Sequence, residues 1–378
     1  MLLDTVDVAV VGAGPAGSAS ALRLLQLWPD ARVVLLDAAA FPRDKTCGDG
    51  VAAHVFDLLD ALGVPDLRPL GPSVAGLRMR SPGGQVVARR CARPNHPIPR
   101  AVFDARRVEA AVARGALLRR HRVRSLRVEP DCVVLDDAYA AGVVIGADGA
   151  NSVVRRLIAA PSAPPRSVAV AIRGYAPATS RPDEMVIEFA RGRYPCYAWA
   201  FPLAGGRANV GYCVFDRRGA GSRRELLAAL HDLLPGVRPD PATLRAHHLP
   251  LSTSRRHHPD GRVLLAGDAA ALVNPVTGEG IYDAVASGAL AGRAALLGPG
   301  AGRAHREAMR RAFGRHRSHL AVLAWLIPHD RFLDAAVATT ARDPAVFDAA
   351  VDFGLAGGTA DRHAVGKIAA TYLRSFGS

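Results

Sequence analysis

Val6-Asp7-Val8-Ala9-Val10-Val11-Gly12-Ala13-Gly14-Pro15-Ala16-Gly17, close to the amino terminus, decides the fold. The apolar run reads as a buried parallel strand. The glycines then fall in a G-x-G-x-x-G pattern that opens a helix from about Pro15 to Leu27. Pro29-Asp30 ends that helix, and Arg32–Asp37 forms a second strand, completing a βαβ opening. The three glycines serve different ends. Gly12 makes the tight turn, Gly14 lets the backbone approach a pyrophosphate, and Gly17 lets helix and strand pack. The helix amino terminus faces the phosphates. Asp37 ends the second strand, where a carboxylate can accept hydrogen bonds from an adenosine ribose. This describes a dinucleotide site without separating NAD from FAD.

Outward from that unit comes a loop, Phe41 to Gly50, and a helical stretch near His54–Leu62. Residues 74–88 alternate around Ser81-Pro82-Gly83-Gly84, a hairpin signal. Residues 104–114 look helical, and strands are expected near 117–128, 132–135 and 142–147. Runs at 167–174, 184–190, 197–202 and 206–214 predict a second layer, antiparallel by its short connections. A strand at 262–267 leads into a Gly-rich loop and a helix at about 279–295, and the remainder is mostly helical. The expected architecture is α/β. A Rossmann-like nucleotide-binding domain is assembled from 1–73, 98–160 and 262–300. An antiparallel β-sheet substrate domain (74–97 and 161–261) is inserted, and C-terminal helices (301–378) follow.

Two later segments select FAD. Val143–Gly149, followed by Ala150-Asn151-Ser152, puts Asp148 and Gly149 just past an apolar strand. Val263–Ala270 does the same with Gly267 and Asp268, followed by Asn274-Pro275-Val276-Thr277-Gly278-Glu279-Gly280-Ile281. Ligands bind at the carboxyl ends of such strands. The second segment resembles the stretch that holds a flavin ribityl chain, with Asp268 on a ribityl hydroxyl. The helix starting near Gly280 would then aim its positive end at the flavin's pyrimidine edge and favour negative charge on the reduced ring.

Phe41-Pro42-Arg43-Asp44-Lys45-Thr46-Cys47-Gly48-Asp49-Gly50 resembles the Cys-Gly-acid-Gly segment of the geranylgeranyl reductase family, and Tyr197-Ala198-Trp199-Ala200-Phe201-Pro202 matches that family's Y-x-W-x-F-P motif. Pro195 stands two residues before Tyr197 where the family often has Pro three before, so the approach to the motif differs. The resemblance spans about residues 5–290. It implies FAD contacts at Ala16, Asp37, Cys47, Gly48, Gly50, Arg100, Val123, Asp268, Gly280 and Ile281. Ala13, Ala38, Lys45, Pro275 and Gly278 complete the expected cofactor envelope. Asp37 stands where the family more often has Glu. Cys47 is the candidate proton donor or substrate-positioning group beside the flavin, with a small buried hydrophobe as its plainer alternative. Tyr197 and Trp199, two apart on one strand, face the same side. With Phe201 they suit a flat or polyene substrate, though ordinary core packing explains such a strip too.

The net charge is +14, yet of 48 basic residues only Lys45 and Lys367 are lysine and the arginines form no block. That argues for a solvated surface and against nucleic acid, with a basic face for an acidic electron donor or anionic lipid as the sharper alternative. The five cysteines, Cys47, Cys91, Cys132, Cys196 and Cys213, include no C-x-x-C, so neither a disulfide scaffold nor a zinc site is expected. The adjacent pairs His247-His248 and His257-His258 do not share a face and do not suggest a metal. No apolar run reaches 18 residues and no signal peptide is recognisable, so a cytoplasmic protein with at most peripheral membrane contact is expected.

The leading function is hydride and proton transfer between reduced flavin and a carbon–carbon double bond of a hydrophobic prenyl or polyene-like substrate, or the reverse. A flavin monooxygenase acting on a small aromatic or polyketide-like substrate shares the Asp148-Gly149 and Gly267-Asp268 motifs. A halogenase needs a lysine between flavin and substrate, and neither Lys45 nor Lys367 is well placed for it. A non-enzymatic electron carrier is the remaining reading. No second G-x-G-x-x-G offers a nicotinamide domain, so the reductant is NAD(P)H bound transiently or a ferredoxin-like protein.

Overall fold

Strand β1 (Asp4–Val11) lies inside a sheet because Val8 to Val11 are buried on both faces. The computed structural model describes residues 3–159, 164, 167–191, 195–253 and 259–376. β1 pairs in parallel with β2 (Val33–Asp37) and with β8 (Tyr139–Gly146). Helix α1 (Pro15–Leu27) connects the first two strands. The sheet runs β5 (Leu117–Arg120), β2, β1, β8, β7 (Val133–Leu135), β6 (Leu126–Val128), and β14 (Val263–Leu265) also pairs with β8 in parallel. Strands β1, β8 and β14, far apart in the chain, thus bring their carboxyl ends to one edge.

The stretch 117–128 is not one strand. β5 and β6 lie on opposite sides of this sheet. The crossing segment buries Val123 among Val6, Ala9, Val34 and Leu36. Asp136 holds the crossing out of the ladder, its carboxylate accepting from Arg124 N at 2.9 Å and Ser125 N at 2.6 Å.

The second sheet runs β13 (Arg245–Pro250), β9 (Val168–Pro177), β12 (Arg207–Val214), β11 (Cys196–Leu203), β10 (Glu184–Phe189), β3 (Val74–Arg80), β4 (Val86–Asn95). Its neighbours are antiparallel except β3 and β10, which pair in parallel. The early hairpin β3–β4 joins a later meander through a remote connection, so no tight turn forces an antiparallel joint. Side-chain alternation splits β11. Cys196 and Ala198 pack beneath α5 (Arg223–Leu233) with Leu226 and Leu230. Tyr197, Trp199 and Phe201 project to the opposite face. α5, started by a Ser222–Glu225 capping box, and β13 were not anticipated by the sequence pattern.

Helices α2 (Ala53–Ala61), α3 (Arg100–Ala113) and α6 (Ile281–Ala295) accompany the first sheet, and α4 (Val153–Leu157) follows β8. The C-terminal helices are α7 (Ala301–Leu326), α8 (Asp330–Arg342), α9 (Pro344–Leu355) and α10 (Arg362–Arg374). Val337 of α8 and Phe347 of α9 pack with Val74, Leu77, Val87 and Met185, covering the β3–β4 end of the second sheet.

Candidate active site

One cavity of about 1190 Å³ lies between the carboxyl edge of the first sheet, the aromatic face of the second and the C-terminal helices. Its first end is built largely from backbone. Gly12 has φ +97, and a Cβ there would sit 2.4 Å from the Ala147 carbonyl oxygen. A Cβ on Gly17 would lie 1.8 Å from the Gly12 carbonyl oxygen, so only glycine lets α1 leave β1 at this angle. Ala13 N and Ala39 N each donate to the Asp37 carboxylate at 2.9 Å, fixing it at the end of β2.

The structure brings together nearly all the residues singled out from sequence. Gly12, Gly14, Ala16, Asp37, Ala38, Lys45, Cys47, Gly48, Gly50, Arg100, Val123, Asp148, Gly149, Gly267, Asp268, Gly278, Gly280 and Ile281 line the cavity with Tyr197 and Trp199. Three do not line it. Ala13 and Gly17 stand behind the wall in the βα turn, and Pro275 is buried in the loop before α6. Asp148 is partly committed to structure, accepting from Ser152 Oγ at 2.5 Å and Val153 N at 2.6 Å at the start of α4.

Asp268 pairs with Lys45 at 3.4 Å. His247, on β13, also lines the cavity, and its buried Nε2 has no hydrogen-bond partner among the described residues. Burial, with Lys45 nearby, pushes its pKa down to about 4, so the ring is neutral at physiological pH. An orphaned buried nitrogen in a cavity wall calls for a polar ligand. Sequence spacing could not reveal this residue, because only the second sheet's edge carries it to the site. Among the described residues no cluster of three or more His, Cys, Asp or Glu is arranged to hold a metal ion. His257 and His258 lie outside the described residues.

Burial raises the Cys47 thiol above its ordinary value despite the nearby Arg100 guanidinium, so the thiol stays neutral. Arg100 is oriented by Asp104, which accepts from its Nε at 2.8 Å and its Nη2 at 2.7 Å. Arg107 and Arg43 also pair with Asp104 and, with Arg100, hold that carboxyl well below the usual range despite its burial.

Behind the Cys47 loop lies a polar network that motif reading missed. Asp49 is fully buried and adopts a left-handed backbone, φ +58. Its carboxylate accepts from Tyr175 OH at 2.9 Å and Asn209 Nδ2 at 2.8 Å, and burial pushes its pKa up to about 6. Asn209 Nδ2 also donates to the Cys47 carbonyl at 2.8 Å, and its Oδ1 accepts from Trp199 Nε1 at 3.0 Å. One buried amide therefore ties the aromatic wall to the cysteine loop. Tyr197 OH donates to the Thr277 carbonyl at 2.5 Å, joining the same wall to the loop before α6.

The start of α6 differs from expectation. Its backbone donors are not left open: Glu279 Oε1 accepts from Ile281 N at 2.9 Å and Tyr282 N at 3.1 Å. Burial, then Asp283, pushes the Glu279 carboxyl up to about 8. At neutral pH a protonated Glu279 caps the helix, so the dipole is partly satisfied by the protein itself.

Past Trp199 and Phe201 the lining turns apolar: Leu323 and Leu326 of α7, Phe332 and Leu333 of α8, Phe353 of α9, and Ile368 of α10. The glycine cradle at Gly12 and Gly14, the Asp37 and Asp268 carboxylates and the orphaned His247 nitrogen fit a bound dinucleotide at one end. The apolar remainder suits a second, hydrophobic molecule.

Comparison with known proteins agrees. Residues 137–304 match the family described as FAD binding domain. The chain is 34% identical over 309 residues to the menaquinone reductase of Mycolicibacterium smegmatis, covering 75% of each protein. It is 32% identical to digeranylgeranylglycerophospholipid reductase 1 of Methanopyrus kandleri, covering 77% of this chain and 80% of that one. The fold matches a geranylgeranyl bacteriochlorophyll reductase-like protein from Thermoplasma acidophilum with a TM-score of 0.81, at 20% identity over 98% of both chains.

Proposed function

The chain belongs to the geranylgeranyl-reductase-like family of FAD-dependent oxidoreductases, and on that premise we propose that it reduces carbon–carbon double bonds in a long hydrophobic chain of the prenyl type, or forms them in reverse. The observation that carries this reading is the apolar extension of the cavity beyond Tyr197, Trp199 and Phe201, between α7, α8, α9 and α10. A compact aromatic substrate needs no such length, whereas a polyene fills it and buries its surface at about 25 cal/mol per Å². Relatives named for a menaquinone and for a digeranylgeranyl phospholipid support the substrate class.

We read the first sheet as the cofactor-holding unit and the second, with the C-terminal helices, as the substrate-facing one. FAD, when bound, supplies the hydride. Gly12 and Gly14 would take its pyrophosphate, Asp37 its adenosine ribose and Asp268 its ribityl chain. Cys47 holds a proton as a neutral thiol at the junction of the two halves, where it can pass to the substrate carbon not receiving hydride. Asn209 fixes the Cys47 carbonyl and Trp199 together. The electrons originate from NAD(P)H or a ferredoxin-like donor that binds transiently. Because prenyl chains reside in lipid, the reading also brings the protein to a membrane surface.

The test is anaerobic photoreduction of the flavin-loaded protein, then reoxidation by prenyl alkenes of graded length or by oxygen. Reoxidation by the alkene with a saturated product is expected. A reduced protein that ignores every alkene but hydroxylates an aromatic substrate with oxygen would make it a monooxygenase instead.

A further inference from the structure

The far end of the cavity reaches the surface between α7 and α10. Val322 and Val365 mark the opening: both line the cavity, and both are more than half exposed, at 61% and 52%. Around them the surface stays apolar. Trp325, Leu373 and Phe376 are exposed by 70%, 69% and 58%. Ring contacts join this rim to the interior. Phe376 lies 5.0 Å from Tyr372, which lies 5.8 Å from Phe332 inside the cavity. Arg331 stacks over Phe376 at 5.1 Å, and His329, two residues earlier, meets Trp325 at 5.8 Å. Phe376 is thus tied through Tyr372 to the cavity, and Trp325 to the turn that leads into α8.

α10 lies at the surface, hydrogen-bonded to α8 through Thr371 and Thr339. Of its 13 residues only Ala364 is buried, and the helix carries Arg362, Lys367 and Arg374 with no acidic residue. Lys367 is paired with Asp343, leaving Arg362 and Arg374 as its exposed arginines. An exposed apolar rim with arginines beside it is the pattern of an interfacial helix: side chains enter the acyl boundary while guanidinium groups meet headgroups. Exposed apolar patches of this kind mark interaction sites.

From this geometry we infer that the α7–α10 mouth docks on the surface of an anionic lipid bilayer and admits its substrate chain directly from the membrane. The proposal rests on the hydrophobic-chain reading above and adds the route of entry. Docking removes the exposed rim from water and spares a prenyl chain any crossing of the aqueous phase. The continuity of rim and cavity distinguishes a bilayer from a protein partner, since only lipid would extend the same apolar medium into the enzyme.

The test uses flavin-loaded full-length protein in flotation with vesicles of phosphatidylcholine alone or mixed with phosphatidylglycerol. The protein should float with the mixed vesicles, and less with the neutral ones. The triple variant Trp325→Glu, Leu373→Glu, Phe376→Glu should lose binding by roughly tenfold or more. It should also keep its flavin and the parent rate with a short, water-soluble prenyl alcohol. If the triple variant loses its flavin, the pair Arg362→Glu and Arg374→Glu serves instead, and should weaken binding to the mixed vesicles alone. Parent protein that stays in solution with both vesicle types overturns the docking proposal while leaving the chemistry intact. So does a dimer in solution that the triple variant dissociates. Loss of activity on the soluble alcohol in the parent strikes the functional reading instead, whatever the vesicles show.

Discussion

At the cofactor end of the cavity the wall is backbone and short side chains, with the Gly12 turn, the Asp37 carboxylate held by two amides, and Asp268 beside Lys45. At the far end it is aliphatic and aromatic side chain from four helices, with few polar atoms. The first half must place donors and acceptors within tenths of an ångström, so single atoms decide whether it works. The second half needs only volume and dryness, and many side chains can supply those. Substitutions should therefore act sharply at one end and gradually at the other.

The hardest break is Gly17→Val. Its first side-chain carbon would collide with the Gly12 carbonyl at 1.8 Å, so α1 must swing away from the glycine turn. No flavin-loaded protein should be recovered, as read by visible absorbance against protein concentration. Cys47→Ala, at the boundary of the two halves, should retain flavin yet slow alkene-driven reoxidation by about 10²–10⁴-fold, the usual worth of a positioned acid. An unaltered single-turnover rate would reduce Cys47 to packing.

Glu279→Gln separates charge from shape at the start of α6. The folded-state pKa of about 8 lies above the ordinary 4.5, so the folded protein holds the extra proton between those values. Stability then falls as pH rises through that window and is level above it, a loss of order a few kcal/mol. Denaturation of the flavin-free protein at pH 5 and pH 9 should show the variant losing less than the parent. Asp268→Ala should weaken FAD affinity by roughly 10–100-fold, the loss of a charge-assisted hydrogen bond of about 1.5–3 kcal/mol. Flavin titration by fluorescence checks it, and unchanged affinity would remove Asp268 from the ribityl role.

The smallest effect should come from the apolar half. Ile368→Ala lengthens the far wall without touching the cofactor end. It should shift preference among prenyl chain lengths by roughly fourfold for each methylene the longer cavity accommodates, since a buried methylene is worth about 0.8 kcal/mol. A collapse of activity with every chain length would erase the contrast between the halves.

The sequence by itself determined the βαβ opening, the dinucleotide turn and the Asp148 and Asp268 loops. In each, short-range geometry requires particular residues: glycine where a Cβ would strike backbone, a carboxylate at a strand's end. It also determined that Tyr197, Trp199 and Phe201 share a face, because strand alternation needs no tertiary information. The rest was decided only in three dimensions. His247 reaches the cavity through β13, and Asn209 meets Cys47 and Asp49 across more than 150 residues of chain. Residues 117–128 divide between two sides of one sheet, and β3 joins β10 in parallel, because remote pairing partners outweigh local propensity. Glu279 lies inside the loop after Asp268 that the sequence singles out, yet its role as cap and its raised pKa follow from burial, which no local pattern encodes. The apolar half of the cavity was invisible for the same reason: ordinary amphipathic helices become a channel only when four of them close around one space.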